Sequence, residues 1–165
     1  MGRASGQKAM VIVGLDVGAV RIGVAVGDEL ELLASPRAVI RRTSNAAAVE
    51  AIARVVREAG AGLVVVGLPI SLDGKLHAQA NAVRAFAERL RRVLPVPLVY
   101  ADETLSTVQA EERLRARGVR PERMRRQIDA AAAAVILQDY LDQPPPRPDA
   151  AARYPELAPR PTGES

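Results

Sequence analysis

GLDVGAVRIGVAVGDE, residues 14 to 29, places one acid, Asp16, at the end of an apolar run and follows it closely with glycine. Met10 to Leu15 is apolar and largely β-branched, the composition of a strand buried on both faces, and Asp16 stops it. Gly18 permits a tight turn. From Arg21 to Gly27 small and β-branched residues alternate, the pattern of a second strand folding back on the first as a β-hairpin. An ionisable acid at the end of a core strand is costly unless it is paired or liganded. This stretch alone is equally consistent with an aspartate that only caps the turn through its own backbone, so other carboxylates have to decide.

Composition narrows the chemistry. The chain has 165 residues and 48% hydrophobic content, enough for one domain with a sizeable core. No apolar run is long enough to span a membrane, and the opening MGRASGQK lacks the apolar stretch of a signal peptide, so a cytoplasmic protein is expected. With no cysteine and one histidine, disulfides, thiolate metal sites, His-rich zinc sites and a Ser-His-Asp triad are all disfavoured. Catalysis would have to use carboxylates. The net charge of +4 suits a polyanionic partner, but 21 of the 23 basic residues are arginine in an alanine-rich chain. Genomic base composition alone produces such a bias, so the position of the charge carries more weight than its total.

Residues 1–8 read as a flexible N-terminus, and a third strand is expected at Arg37–Arg41, after Pro36. Thr43 or Ser44 is a natural N-cap for a helix over Ala47–Ala59, which Gly60 ends. Leu63–Gly67 fits a central parallel strand reached by that crossover. In the following loop, 68–80, Ser71, Asp73, Lys75 and His77 are placed to approach a ligand at a strand's carboxyl end, although a surface loop of this composition needs no function. A helix over Ala78–Val93 and a strand over Leu98–Ala101 come next, and the strand runs into Asp102-Glu103. A helix over about Val108–Ala116 is expected, capped by Thr104, Ser106 or Thr107.

Residues 115–126, RARGVRPERMRR, hold six arginines (Arg115, Arg117, Arg120, Arg123, Arg125 and Arg126) against one glutamate. Gly118 and Pro121 argue for a loop, suited to phosphate contacts with salt-dependent affinity or simply solvated. With no aromatic interleaved, base stacking is not indicated. The last helix is expected over Gln127–Leu141 with Asp129 in its first turn, where the helix dipole favours the carboxylate. The proline-rich segment 143–165 reads as a disordered tail, which leaves 9–142 as the folded domain.

These pieces assemble into an α/β domain: a mixed sheet of three antiparallel strands plus two parallel strands, flanked by helices. Asp16, Glu103 and Asp129 then stand at two strand ends and on a packed helix, with Asp102 a lesser candidate. Hard oxygen donors of this kind suit Mg²⁺ or Mn²⁺. Two such ions can activate water and stabilise the leaving oxygen of a phosphodiester, a reaction needing neither cysteine nor histidine.

Four motifs carry a family resemblance: Asp16 with its glycine and Arg21-Ile22-Gly23; VVGLP at 65–69 with Asp73-Gly74; DETLST at 102–107; and Ile128-Asp129 before AAAAVIL. In that order and spacing, over about residues 11–141, the chain resembles the YqgF/RuvX family. The resemblance implies an RNase H-like fold related to the RuvC Holliday-junction resolvases, a metal-dependent nuclease activity and a bacterial cytoplasmic protein. It implies Asp16, Glu103 and Asp129 as the metal-binding catalytic acids. In the family the acidic pair is often followed by arginine, whereas here Thr104 follows, so its phosphate contact would fall to Arg21 or to the 115–126 segment. Maturation of the 5′ end of precursor 16S rRNA is the first implied function. Resolution of four-way DNA junctions, for which symmetric cutting would require a homodimer, is the alternative, and nucleic-acid binding without catalysis a third. A sugar or acetate kinase of the related actin-like fold shares the Asp-x-Gly turn but needs two such domains around ATP.

Overall fold

The computed structural model describes residues 10–30, 32–70, 78–103, 118 and 121–153, with the backbone course alone for 121–128 and 153. The expected flexible segment 1–8, the helix over 108–116 with its caps, and residues 154–165 of the expected tail lie outside the described residues.

Strands β1 (Val11–Val17), β2 (Arg21–Asp28) and β3 (Ala34–Arg41) form an antiparallel meander. Helix α1 (Asn45–Ala59) crosses to β4 (Ala61–Leu68), parallel to β1, and α2 (Ala78–Val93) crosses to β5 (Leu98–Asp102), parallel to β4. The sheet order is β3-β2-β1-β4-β5, the expected mixed sheet of three antiparallel and two parallel strands. Helix α3 (Pro121–Asp142) closes the other face. No helix among the described residues is long and apolar enough to cross a membrane.

Strand period sorts the core into two layers. Val13, Leu15, Ile22, Val24, Val64, Val66, Leu98 and Tyr100 pack toward α1 and α2, against Ile52, Val56, Phe86 and Leu90. Ile12, Ala25, Val65 and Ala101 pack toward α3, against Ala133, Ile136, Leu137 and Leu141. On the α3 side the sheet is lined by glycine. A Cβ at Gly14 would lie 2.8 Å from Leu137 Cβ, and one at Gly23 would run into the Asp129 carbonyl. At these glycines the helix rests on sheet backbone, while Ile12, Ala25 and Val65 support it between them.

Local chemistry accounts for the boundaries. Ser44 is the N-cap of α1, its hydroxyl accepting from Ala47 N–H at 3.0 Å, and Gly60 ends the helix at φ 64°, in the left-handed region. Strand β3 begins before Pro36 rather than after it. As an edge strand it tolerates a proline, and its register with β2 shifts beside that residue. Arg91, on α2, does more than face solvent: it pairs with Glu88 and donates to the Leu98 carbonyl at 2.9 Å.

Two expectations are corrected. Helix α3 begins at Pro121, so Arg123, Arg125 and Arg126 lie on a helix rather than in a loop, and Asp129 lies beyond the first two turns. Proline opens helices well at their first position, where its missing N–H costs nothing. The tail, in turn, does not leave the domain at 142. Asp149 Oδ1 accepts from Tyr100 N–H at 2.9 Å on the edge strand β5, Ala150 is buried, and Arg147, itself buried, reaches Glu29 at 3.5 Å. A carboxylate thus satisfies an edge-strand donor that would otherwise invite pairing with another chain.

Gly23→Ala is expected to destabilise the protein by about 3 kcal/mol, because backbone on both sides must move. Gly60→Ala, which meets open space and pays only for the left-handed backbone, should cost about 1 kcal/mol. Urea unfolding of both variants checks the ranking; equal losses would show that α3 can lift off the sheet freely.

Candidate active site

Asp16 stands one residue before the end of β1, and its cross-strand partner on β2 is Gly23. Because Ile12 and Gly14 face α3, strand alternation turns Asp16 to the same side. The missing side chain at Gly23 lets the α3 backbone close in at Asp129. Glu103 follows β5, its N–H bonded to the Leu68 carbonyl at 3.0 Å, and its carboxylate reaches back across Gly67, where a Cβ would lie 2.8 Å from Oε2. Three acids from the first strand, the fifth strand and the last helix therefore lie near one another at the carboxyl ends of the parallel strands.

Their electrostatics are unfavourable without a cation. Burial raises the Asp16 carboxyl above its ordinary value of 3.8; a hydrogen bond with Glu103 pulls it down, and the charge of Asp129 pushes it up again. A hydrogen bond between two carboxyl groups requires that one of them hold a proton. Asp129 is engaged from the other side: Arg21 Nε donates to its Oδ2 at 2.7 Å. Asp129 lies beyond the first two turns of α3, so its partner is this short charge-assisted bond from Arg21 and not the helix terminus.

The donor set fits a hard divalent cation, since neighbouring, partly buried carboxylates gain from a compensating charge. The guanidinium of Arg21 supplies part of that charge on Asp129. Among the described residues no group of three or more His, Cys, Asp or Glu side chains is placed to hold a metal ion in this arrangement. Asp16 and Glu103 share a hydrogen bond while Asp129 leans to Arg21, so the acids are electrostatic neighbours in an open arrangement.

Asp102, of opposite parity to Glu103, is exposed and lines a pocket with Asp139, Tyr140 and Gln143. Ser71, Asp73, Lys75 and His77 and Arg115, Arg117 and Arg120 lie outside the described residues, as do the side chains of Arg123, Arg125 and Arg126. One contributor was not singled out from the sequence. Arg42 donates to the Gly18 carbonyl at 2.8 Å and lies over the Phe86 ring, while its own N–H bonds Val20 O, so it fastens the hairpin tip beside Asp16. Its only signal was position, directly after the strand that pairs with Arg21.

An acid whose folded-state value lies above its unfolded one adds stability only at low pH and withdraws it as pH rises through the raised value. Asp16→Asn should therefore raise the melting temperature of the metal-free protein at pH 7 by roughly 2–4 °C, the shift expected for about 1 kcal/mol in a chain of this size. The gain should shrink as pH falls toward 4. Thermal melts in chelator across that range check it; a variant less stable than wild type at pH 7 would contradict the burial argument.

Residues 10–143 match the family profile described as "RuvX: Holliday junction resolvase". A protein of Anaeromyxobacter sp. (strain Fw109-5), described as "Putative pre-16S rRNA nuclease", is 46% identical over 133 residues, covering 81% of this chain and 97% of that protein. One of the same description from Chloroflexus aggregans is 46% identical over 131 residues, covering 79% of this chain and 92% of its own. Among solved structures, the fowlpox virus resolvase in complex with Holliday junction DNA superposes with a TM-score of 0.50 at 8% identity, over 81% of this chain and all of that one; the likeness is one of fold.

Proposed function

The chain belongs to the RuvX family, and from that premise we propose that it is a metal-dependent nuclease whose substrate is the precursor of 16S rRNA. The observation that carries this reading is the half-buried Asp16 at the end of β1 together with Glu103 and Asp129 on one side of the sheet. A half-buried acid with a like-charged neighbour is a poor structural choice and a good ligand. The description shared by relatives 46% identical over most of the chain favours the RNA substrate. The family's own description keeps a four-way DNA junction as the second reading.

In this proposal Asp16, Glu103 and Asp129 hold Mg²⁺ or Mn²⁺, with Asp102 a lesser candidate. The bound ion would polarise the scissile phosphate and favour ionisation of an attacking water. The chain's own part is to fix three carboxylates on rigid elements: a strand end, a strand end tied to Leu68, and a helix seated on glycine. Arg21 brings a guanidinium to the same place, suited to the non-bridging oxygens of a phosphodiester. Arg123, Arg125 and Arg126, with Arg115, Arg117, Arg120 and Lys75, would contact the backbone of the polyanion. The cytoplasm, where such substrates occur, is the proposed location. Junction cutting on both strands would further require a dimer.

A cleavage assay in Mg²⁺ or Mn²⁺, with labelled precursor 16S RNA set against a four-way DNA junction, tests the reading. RNA cleavage that Asp16→Asn reduces to the level of a blank is expected. Paired symmetric cuts in the junction with RNA untouched would transfer the activity to DNA, and cleavage of neither would leave a binding protein. Alanine at Arg123, Arg125 and Arg126 should weaken RNA binding and lower the slope of log affinity against log salt by roughly 0.7 for each phosphate that is no longer neutralised. An unchanged slope would remove these arginines from the interface.

A further inference from the structure

Arg21 and Asp129 are 108 residues apart in sequence, yet Arg21 Nε meets Asp129 Oδ2 at 2.7 Å at the mouth of the proposed metal site. We propose that Arg21 is a positioning residue that acts as the site's resident cation, holding Asp129 open until a divalent ion takes that carboxylate and releases the guanidinium toward the substrate. The inference rests on the metal-dependent reading above.

Four observations carry it. The Arg21 and Asp129 side chains are 40% and 24% exposed, so the pair lies at the mouth of the site and adds little as structural fastening. The Arg21 backbone is fixed independently, its carbonyl accepting from Gly18 N–H at 2.9 Å to close the hairpin, so the side chain can move without the strand. Asp16 and Glu103 share their own hydrogen bond while Asp129 is bonded to Arg21, and among the described residues no three acids are placed to hold a metal ion in this arrangement. Finally, a guanidinium stays charged at any pH a protein experiences, so a divalent ion taking up Asp129 Oδ2 competes with it directly instead of waiting for it to lose a proton.

Displacement also has a direction. Arg21 is paired in register with Arg41 on the edge strand β3, so a released guanidinium stands beside a second one at the sheet end. Two arginines there make a natural rest for a phosphate next to the acids. Metal loading and polyanion binding would then be coupled through one side chain.

The test uses the full chain and metal binding rather than turnover. Mn²⁺ titrations followed by calorimetry should show Arg21→Gln binding the ion about fivefold more tightly than wild type, the low end of typical coupling between sites. In wild type, the Arg21 Nε–H resonance, assigned by its loss in Arg21→Lys, should move from a carboxylate-bonded position when Mg²⁺ is added. Wild-type Mn²⁺ binding that Arg21→Gln leaves unchanged or weakens, or a resonance that Mg²⁺ does not move, would overturn the latch and leave the metal site standing. If wild type shows no Mn²⁺ binding that Asp16→Asn removes, the metal-dependent reading fails and the latch fails with it.

Discussion

The contact on which the rest depends is backbone against backbone: the Asp129 carbonyl of α3 against Gly23 of β2, where no Cβ fits between. Helices ordinarily ride on a sheet's side chains, with packing distances set by their bulk. Here glycines at positions 14, 23 and 67 strip the sheet on one side, and the helix answers with Ala133, Ile136 and Leu137. The register places this approach beside Asp16. Gly23 is the direct cross-strand partner of Asp16, so the gap that admits the helix lies next to the acid. Directly opposed residues stand about 5 Å apart, which brings the Asp129 main chain within one side chain's reach of Asp16.

That geometry sets stability against chemistry. Burial and a like charge both raise the Asp16 carboxyl, and its hydrogen bond with Glu103 relieves only part of the cost. The remaining acid is neutralised by an arginine from the neighbouring strand. Elsewhere the chain is built conventionally: capped helices, two apolar layers and an edge strand whose exposed N–H is met by Asp149. Unfavourable charge is concentrated at the three acids proposed to hold the metal.

Much of this architecture could be read from the sequence because it rests on local rules. Strand period, the Ser44 and Gly60 signals and the acids at strand ends are each settled within a few residues, and all are present. What failed depended on distant partners. Gly118 and Pro121 look like breakers in isolation, but proline at a first helical position starts α3 instead. Residues 143–153 have few large apolar side chains, and what orders them is Asp149 against the edge of β5 and Arg147 against Glu29. Arg21 was visible as a basic residue near Asp16, but nothing local reveals that its partner lies on the last helix.

The adjacent pair Asp102-Glu103 shows how the sheet, rather than acidity, selects a candidate ligand. The two residues carry the same charge and follow the same strand, yet strand alternation assigns successive side chains to opposite sides. Ala101 faces α3, so Glu103 does too, and Gly67 leaves the room its carboxylate needs to reach Asp16. Asp102, of opposite parity, is left exposed at the sheet edge, where it borders a pocket with Asp139 and Tyr140. A one-residue slip of β5 would exchange the two, but its start is pinned by Arg91 on the Leu98 carbonyl and its middle by Asp149 on Tyr100 N–H. The tail segment and α2, both remote from the three acids, thereby decide which carboxylate the site receives.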